Sequence, residues 1–126
     1  MSATQFAVNR DRDDADAIDF VAVRGEIDIF TAPDVKRAAS EAIEAGATRL
    51  VIDLTESTFV DSTALGMIIG LAKRVRPAGG DVVLVNVDAD IARTLAITGL
   101  DEIFHVVDRR SAAAAAFEAG PRSREG

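Results

Sequence analysis

Asp61-Ser62-Thr63 sets one carboxylate and two hydroxyls side by side, where the extended stretch Phe59-Val60 gives way to Ala64-Leu65-Gly66 and a helical pattern. Three kinds of chemistry suit that trio. Ser62 is placed to be the N-cap of the helix, its hydroxyl accepting from the amide of Ala64 or Leu65 while Asp61 complements the helix dipole. A serine at such a turn can also be a nucleophile, which requires a base, an oxyanion hole and glycines on both sides of it. Finally, a hydroxyl at a helix start can receive a phosphoryl group, because the free first-turn amides and the dipole tolerate the added charge.

The remaining reactive groups discriminate among these. Val60 and Ala64 occupy the places of the flanking glycines. The only histidine, His105, lies in an expected strand and reads as structural, so catalysis is disfavoured and no catalytic residue is assigned. Asp53 and Asp61 could form an acid–base pair, but no substrate-pocket chemistry accompanies them. Aspartates alternate in Asp11-Arg12-Asp13-Asp14-Ala15-Asp16, yet Ala15 stands at the third ligand position of a calcium loop and the required glycine is missing. A solvated turn is expected there, and no metal. Gly79-Gly80 is followed by no Lys-Ser/Thr, so it is a turn and not a phosphate loop. No cofactor is expected.

Composition narrows the setting. The chain has 126 residues, suited to one domain, and no Cys, which removes disulfides, thiolate metal sites and a thiol nucleophile. Its aromatic residues are all Phe, at 5%, so a core must rest on Val, Ile, Leu and Ala. A net charge of −7 argues against nucleic acid and anionic membrane as partners. No run approaches the ~18 apolar residues of a membrane span, and the first residues lack a secretion-signal pattern; the expected compartment is the cytoplasm.

The elements that must position the trio follow from pattern. Gln5–Asn9 is a weak strand, and Ile18–Val23 a stronger one running into a bend at Gly25. Thr31 is the expected cap of a helix with Pro33 and Asp34 in its first turn; Val35, Ala39 and Ala42 recur at helical spacing, and Gly46 ends it. Leu50–Leu54 is a strand covered on both faces, followed by a polar link, Thr55–Thr58. A helix from Thr63 to Val75, a strand from Asp81 to Val87, a helix from Asp90 to Ile97, an edge strand Ile103–Val107 and a helix capped by Ser111 complete the series. Alternating strands and helices after an initial strand pair give an α/β domain on a mixed sheet, residues 1–119, with a flexible tail at 120–126. The trio then lies beyond the carboxyl end of a central strand, where open α/β sheets carry functional groups. Its helix is unusually apolar. Leu65, Ile68, Ile69, Ala72 and Val75 suffice for a core stripe, and Ala64, Met67 and Leu71 add a flank that is either covered by neighbours or a docking face.

Taken together, Phe59-Val60-Asp61-Ser62-Thr63-Ala64-Leu65-Gly66 resembles the Asp-Ser-Ser/Thr-Gly-Leu-Gly signature of bacterial anti-sigma factor antagonists, which are single STAS domains. The similarity extends over residues 5–117 and includes Gly25-Glu26-Ile27-Asp28, the Leu50–Leu54 strand, Gly79-Gly80 and Ile97-Thr98-Gly99-Leu100. It implies a mixed sheet of four to five strands with about four helices packed mainly on one side. It also implies partner switching. The unphosphorylated antagonist binds an anti-sigma factor that is also a serine kinase and frees a sigma factor; phosphorylation releases it, and a serine phosphatase resets it. Matched position by position, Ser62 is the phosphoacceptor, and Asp28, Asp61 and Thr63 are its neighbours; the residues expected to face the partner are Ala64, Leu65, Gly66, Met67 and Leu71. Ala64 stands where the family usually has Gly. The expected assembly state is a monomer or weak dimer. Two other readings use the same residues: a STAS scaffold subunit, never phosphorylated, of a larger signalling or lipid-transport complex, and a small-molecule or nucleotide-binding domain, which the sequence supports with neither a phosphate loop nor an aromatic stacking pair.

Overall fold

The computed structural model describes residues 5–122. Strands β1 (Ala7–Asp13) and β2 (Ile18–Ile27) form an antiparallel hairpin, and β3 (Arg49–Val60), β4 (Asp81–Val85) and β5 (His105–Val107) add to β2 in parallel, giving the order β1-β2-β3-β4-β5. Helices α1 (Ala32–Glu44), α2 (Ser62–Val75), α3 (Ala89–Thr98) and α4 (Ala113–Ala119) alternate with the parallel strands. Side chains of the central strands point alternately to two apolar layers. Leu50, Ile52, Val82 and Leu84 join residues of α1, α2 and α3 in the larger core. Val51, Val83 and Val85 turn the other way and meet Ala113 and Ala116 of α4. Three helices therefore cover one face and the short alanine-rich α4 the other, the mixed-sheet fold expected. Among the described residues no helix is long and apolar enough to cross a membrane.

Several boundaries differ from those expected, each for a non-local reason. The supposed polar link Thr55–Thr58 is strand. β2 runs on beside it through two register shifts, pairing Arg24 with Glu56, Gly25 with Ser57 and Ile27 with Val60. Ser57 also donates its hydroxyl to the Val23 carbonyl. Pairing of the backbone thus overrides side chains that favour a loop, and Gly25 (φ 90°) sits at a bulge as anticipated. β1 continues through Asp13, the charged side chains of this edge strand discouraging further pairing. β4 ends at Val85, because the Asn86 side chain bonds the backbone of Asp88 and Asp88 then caps α3 by accepting from the Ile91 amide.

Two expected caps away from the Asp61-Ser62-Thr63 trio are not made. The Thr31 side chain makes no cap bond to α1, and Asp34 pairs with Arg37. Ser111 falls inside a 3₁₀ turn, Arg110–Ala112, that leaves Ala112 at the N-cap of α4. Of the predicted tail, residues 123–126 lie outside the described residues. Gly120 is tied down, its carbonyl 2.7 Å from His105 Nε2, so this histidine holds the end of α4 against β5.

Candidate functional site

The start of α2 is built by the parallel ladder beneath it. Pairing of Val60 with Ile27 keeps the chain extended one residue further, and the Asp61 amide donates to the Ile27 carbonyl at 3.2 Å. Asp61 is left in extended backbone (φ −111°, ψ −174°), with its carboxylate accepting from the Ala64 amide at 3.0 Å and its carbonyl from the Leu65 amide at 3.1 Å. The N-cap is therefore Asp61 and not Ser62. Both residue types cap well, and the ladder decides which one occupies the position. Ser62 becomes the first helical residue, exposed, its hydroxyl without a hydrogen-bond partner among the described residues. Thr63 is likewise exposed. A direct consequence is measurable by urea unfolding: Asp61→Ala should cost ~1 kcal/mol, and Ser62→Ala only a few tenths.

Around this helix start the structure gathers a surface that the sequence reading did not single out. The loop after β2 carries Ile29 and Phe30, 63% and 85% exposed, and Phe59 near the end of β3 is 48% exposed. Asp28 fixes the loop, its carboxylate accepting from the amides of Phe30 (2.9 Å) and Thr31 (3.1 Å). The Thr31 hydroxyl accepts from the Asp28 amide and donates to the Glu26 carbonyl. Asp28, expected as an acidic neighbour of Ser62, thus lies at the same end of the sheet but turns its carboxylate to the loop. Between α1 and α2 runs a shallow groove bounded by Pro33 and Lys36 on one side and Thr63, Gly66 and Met67 on the other. The signal for the loop was present as two adjacent apolar residues between a strand-ending Asp28 and the helix start at Thr31.

Of the five residues expected to face a partner, three are interior. Ala64, Leu65 and Leu71 belong to the main core, Ala64 and Leu71 at 0% and 1% exposure. Residues 64, 68, 71 and 75 form one helical stripe, and that stripe meets the sheet. The supposed flank is covered by neighbouring elements; Gly66 is exposed and Met67 half-buried. The Ala64 methyl therefore fills core volume and lies away from the surface. Ala64→Gly should lower stability by about 1–2 kcal/mol through propensity and lost burial, read as a shift in the urea midpoint, without altering the surface beside Ser62.

Asp53 does not join Asp61. It points to the α4 face, where it accepts from Arg110 Nε at 2.7 Å and from the Thr55 amide at 3.0 Å and Thr55 hydroxyl. Burial alone would raise its pKa, but the Thr55 and Arg110 hydrogen bonds outweigh that and hold the carboxyl below its ordinary range. Three aspartates of the β1 hairpin are also paired with arginines, Asp14 and Asp19 with Arg12 and Asp11 with Arg110.

These features match those of known proteins. A family model for the STAS domain matches residues 11–113. An anti-sigma-B factor antagonist of Listeria monocytogenes is 40% identical over 93 residues, covering 74% of this chain and 81% of that protein. Among solved structures, an anti-sigma factor antagonist from Mycobacterium paratuberculosis aligns with a TM-score of 0.81 at 24% identity, over 90% of this chain and 95% of its own. The Bacillus cell fate determinant SpoIIAA in its phosphorylated form aligns with a TM-score of 0.63 at 19% identity, over 86% and 96% of the two chains. With a model match over most of its length and a curated relative at this identity, the chain belongs to the STAS-domain family of anti-sigma factor antagonists.

Proposed function

We propose that this protein is a phosphorylation-controlled binding module. Unphosphorylated, it binds an anti-sigma factor that is also a serine kinase and so frees a sigma factor. Phosphorylation of Ser62 from ATP ends the binding, and a serine phosphatase restores it. The observation that carries the reading is the division of labour at the start of α2: Asp61 holds the cap, so the exposed Ser62 hydroxyl is free to react. Support for a phosphoryl switch comes from the fold match to a relative whose structure exists in a phosphorylated form.

Charge and desolvation explain how the switch would act. A phosphoserine adds about two negative charges at a helix N-terminus, where free amides tolerate them in water. Beneath a partner that covers Ile29, Phe30 and Phe59, the same dianion would be stripped of water beside the Asp61 carboxylate. An unpaired buried charge of that kind costs several kcal/mol, enough to reverse an association of ordinary strength. The free fold would be left standing while the complex is lost.

The test is incubation with the cognate anti-sigma kinase and ATP, followed by mapping of phosphate by mass spectrometry. One phosphate on Ser62 is expected; phosphate elsewhere with Ser62 unmodified would overturn the assignment. Ser62→Asp should weaken anti-sigma binding about tenfold by calorimetry with a melting temperature within a degree or so of the parent, since the cap bond is retained. Equal affinity of the two proteins would count against the switch.

A further inference from the structure

At the other end of α2 from Ser62, the helix flank and the chain leading into β5 enclose an open cleft of about 550 Å³. Its lining is apolar: Ile69 and Ala72 on the helix, Pro77 in the following turn, and Ile103 and Phe104 opposite. Two cations one helical turn apart, Lys73 and Arg76, stand at its rim. Arg76 is locked in place. Its Nε donates to Asp81 at 2.9 Å, its Nη2 to the Ile103 carbonyl at 2.8 Å, and the guanidinium lies 5.1 Å from the Phe104 ring centre. Nη1 has no partner among the described residues, and Lys73 forms no ion pair among them. On a chain of net charge −7, this is a cationic rim over an apolar trough.

The chemistry of the walls selects the ligand. The amides of Ile103 and Phe104 both donate to the Leu100 carbonyl, and the Ile103 carbonyl is taken by Arg76. Neither amide, nor the Ile103 carbonyl, is left free to pair with an extended peptide. The polar groups on offer are the free guanidinium edge and the ammonium, both donors, which suit a single anionic head. The volume lies within the range of small-molecule clefts. We propose that this cleft binds a free single-chain acyl carboxylate, its head on Lys73 and Arg76 and its chain along Ile69, Ile103 and Phe104. Asp81 offsets the charge of Arg76, so Lys73 supplies most of the net attraction.

The test is titration of the full-length protein with monomeric dodecanoate, followed by amide chemical shifts. Saturable shifts confined to residues 69–77 and 103–104 are expected. Lys73→Glu should weaken binding about tenfold or more, as should replacing dodecanoate by dodecanol, because each removes a charge-assisted contact. Arg93→Glu, at an exposed position on α3, should leave affinity unchanged and controls for net charge. Absence of saturation, shifts centred elsewhere, equal losses in the Lys73 and Arg93 variants, or equal binding of dodecanol would overturn the proposal. Phosphorylation of Ser62 does not enter, so the outcome is independent of the proposed switch.

Discussion

Phe30→Ala is expected to weaken binding to the anti-sigma partner by about 2 kcal/mol, roughly thirtyfold, while leaving thermal stability almost unchanged. The two halves of that expectation have separate causes. Phe30 is 85% exposed, so truncation removes little from the folded interior. An aromatic ring held out on a stiff loop is the kind of side chain on which interface energy concentrates, since little conformational freedom remains to be lost on binding. The stiffness comes from Asp28, whose carboxylate receives the Phe30 and Thr31 amides, and from Thr31, whose hydroxyl bridges the Asp28 amide and the Glu26 carbonyl. Calorimetry of the parent and variant with the anti-sigma partner measures the loss. An unchanged affinity would place the interface elsewhere and remove the loop from the proposed site. Asp28→Ala serves as a companion, since it leaves the ring in place but frees the loop.

What was legible beforehand follows the range of the interactions involved. Leu50–Leu54 and Val82–Val85 are apolar runs whose meaning is local, and both are central strands with nearly every side chain buried. The end of α2 at Val75 is legible because Pro77 and Gly79 punctuate the chain just after it, whereas its start lies one residue before the one expected. The choice between Asp61 and Ser62 as cap was not local. It depends on how far β3 stays paired with β2, and so on two register shifts, between Ala22 and Arg24 and between Gly25 and Glu26, whose effect appears at Asp61. For the same reason Thr55–Thr58 read as a link. Ala64 and Leu71 could be placed on a helix but not against a neighbour, and the face they occupy turned out to be the sheet. A hydroxyl at the start of α2, on which the proposed phosphoacceptor role of Ser62 rests, was readable because Ser62 stands where an extended run meets a helical one. The apolar loop beside it was not, because Ile29 and Phe30 gain meaning only from exposure.

The least legible contacts are those of Arg110, which join residues 57 and 99 positions apart, and they lead to the other large expected effect. Arg110 donates to Asp53 at 2.7 Å and to Asp11 at 3.0 Å, and its guanidinium lies 4.5 Å from the Phe20 ring centre. It thereby ties the turn before α4 to β1, β2 and β3. The second apolar layer is small and α4 contributes mainly alanines to it, so this contact and the His105–Gly120 bond hold what hydrophobic burial there does not. Arg110→Met, which keeps much of the packing on Phe20, should destabilise the protein by about 2 kcal/mol at pH 7. That is below the 3–5 kcal/mol typical of a fully buried pair because water reaches Arg110. Asp53→Asn should cost a similar amount, and the double variant less than the sum of the two, since the second change no longer leaves a charge unpaired. The pH dependence has a definite sign. The folded Asp53 carboxyl lies below its ordinary value of 3.8, so its contribution is complete above that value and is lost as pH falls through the lower folded one. Urea midpoints of the parent should therefore decline more steeply than those of Asp53→Asn as pH is lowered below about 4. Parallel acid limbs, or additive losses in the double variant, would show that Arg110 acts through its packing on Phe20 and its bond to Asp11 instead.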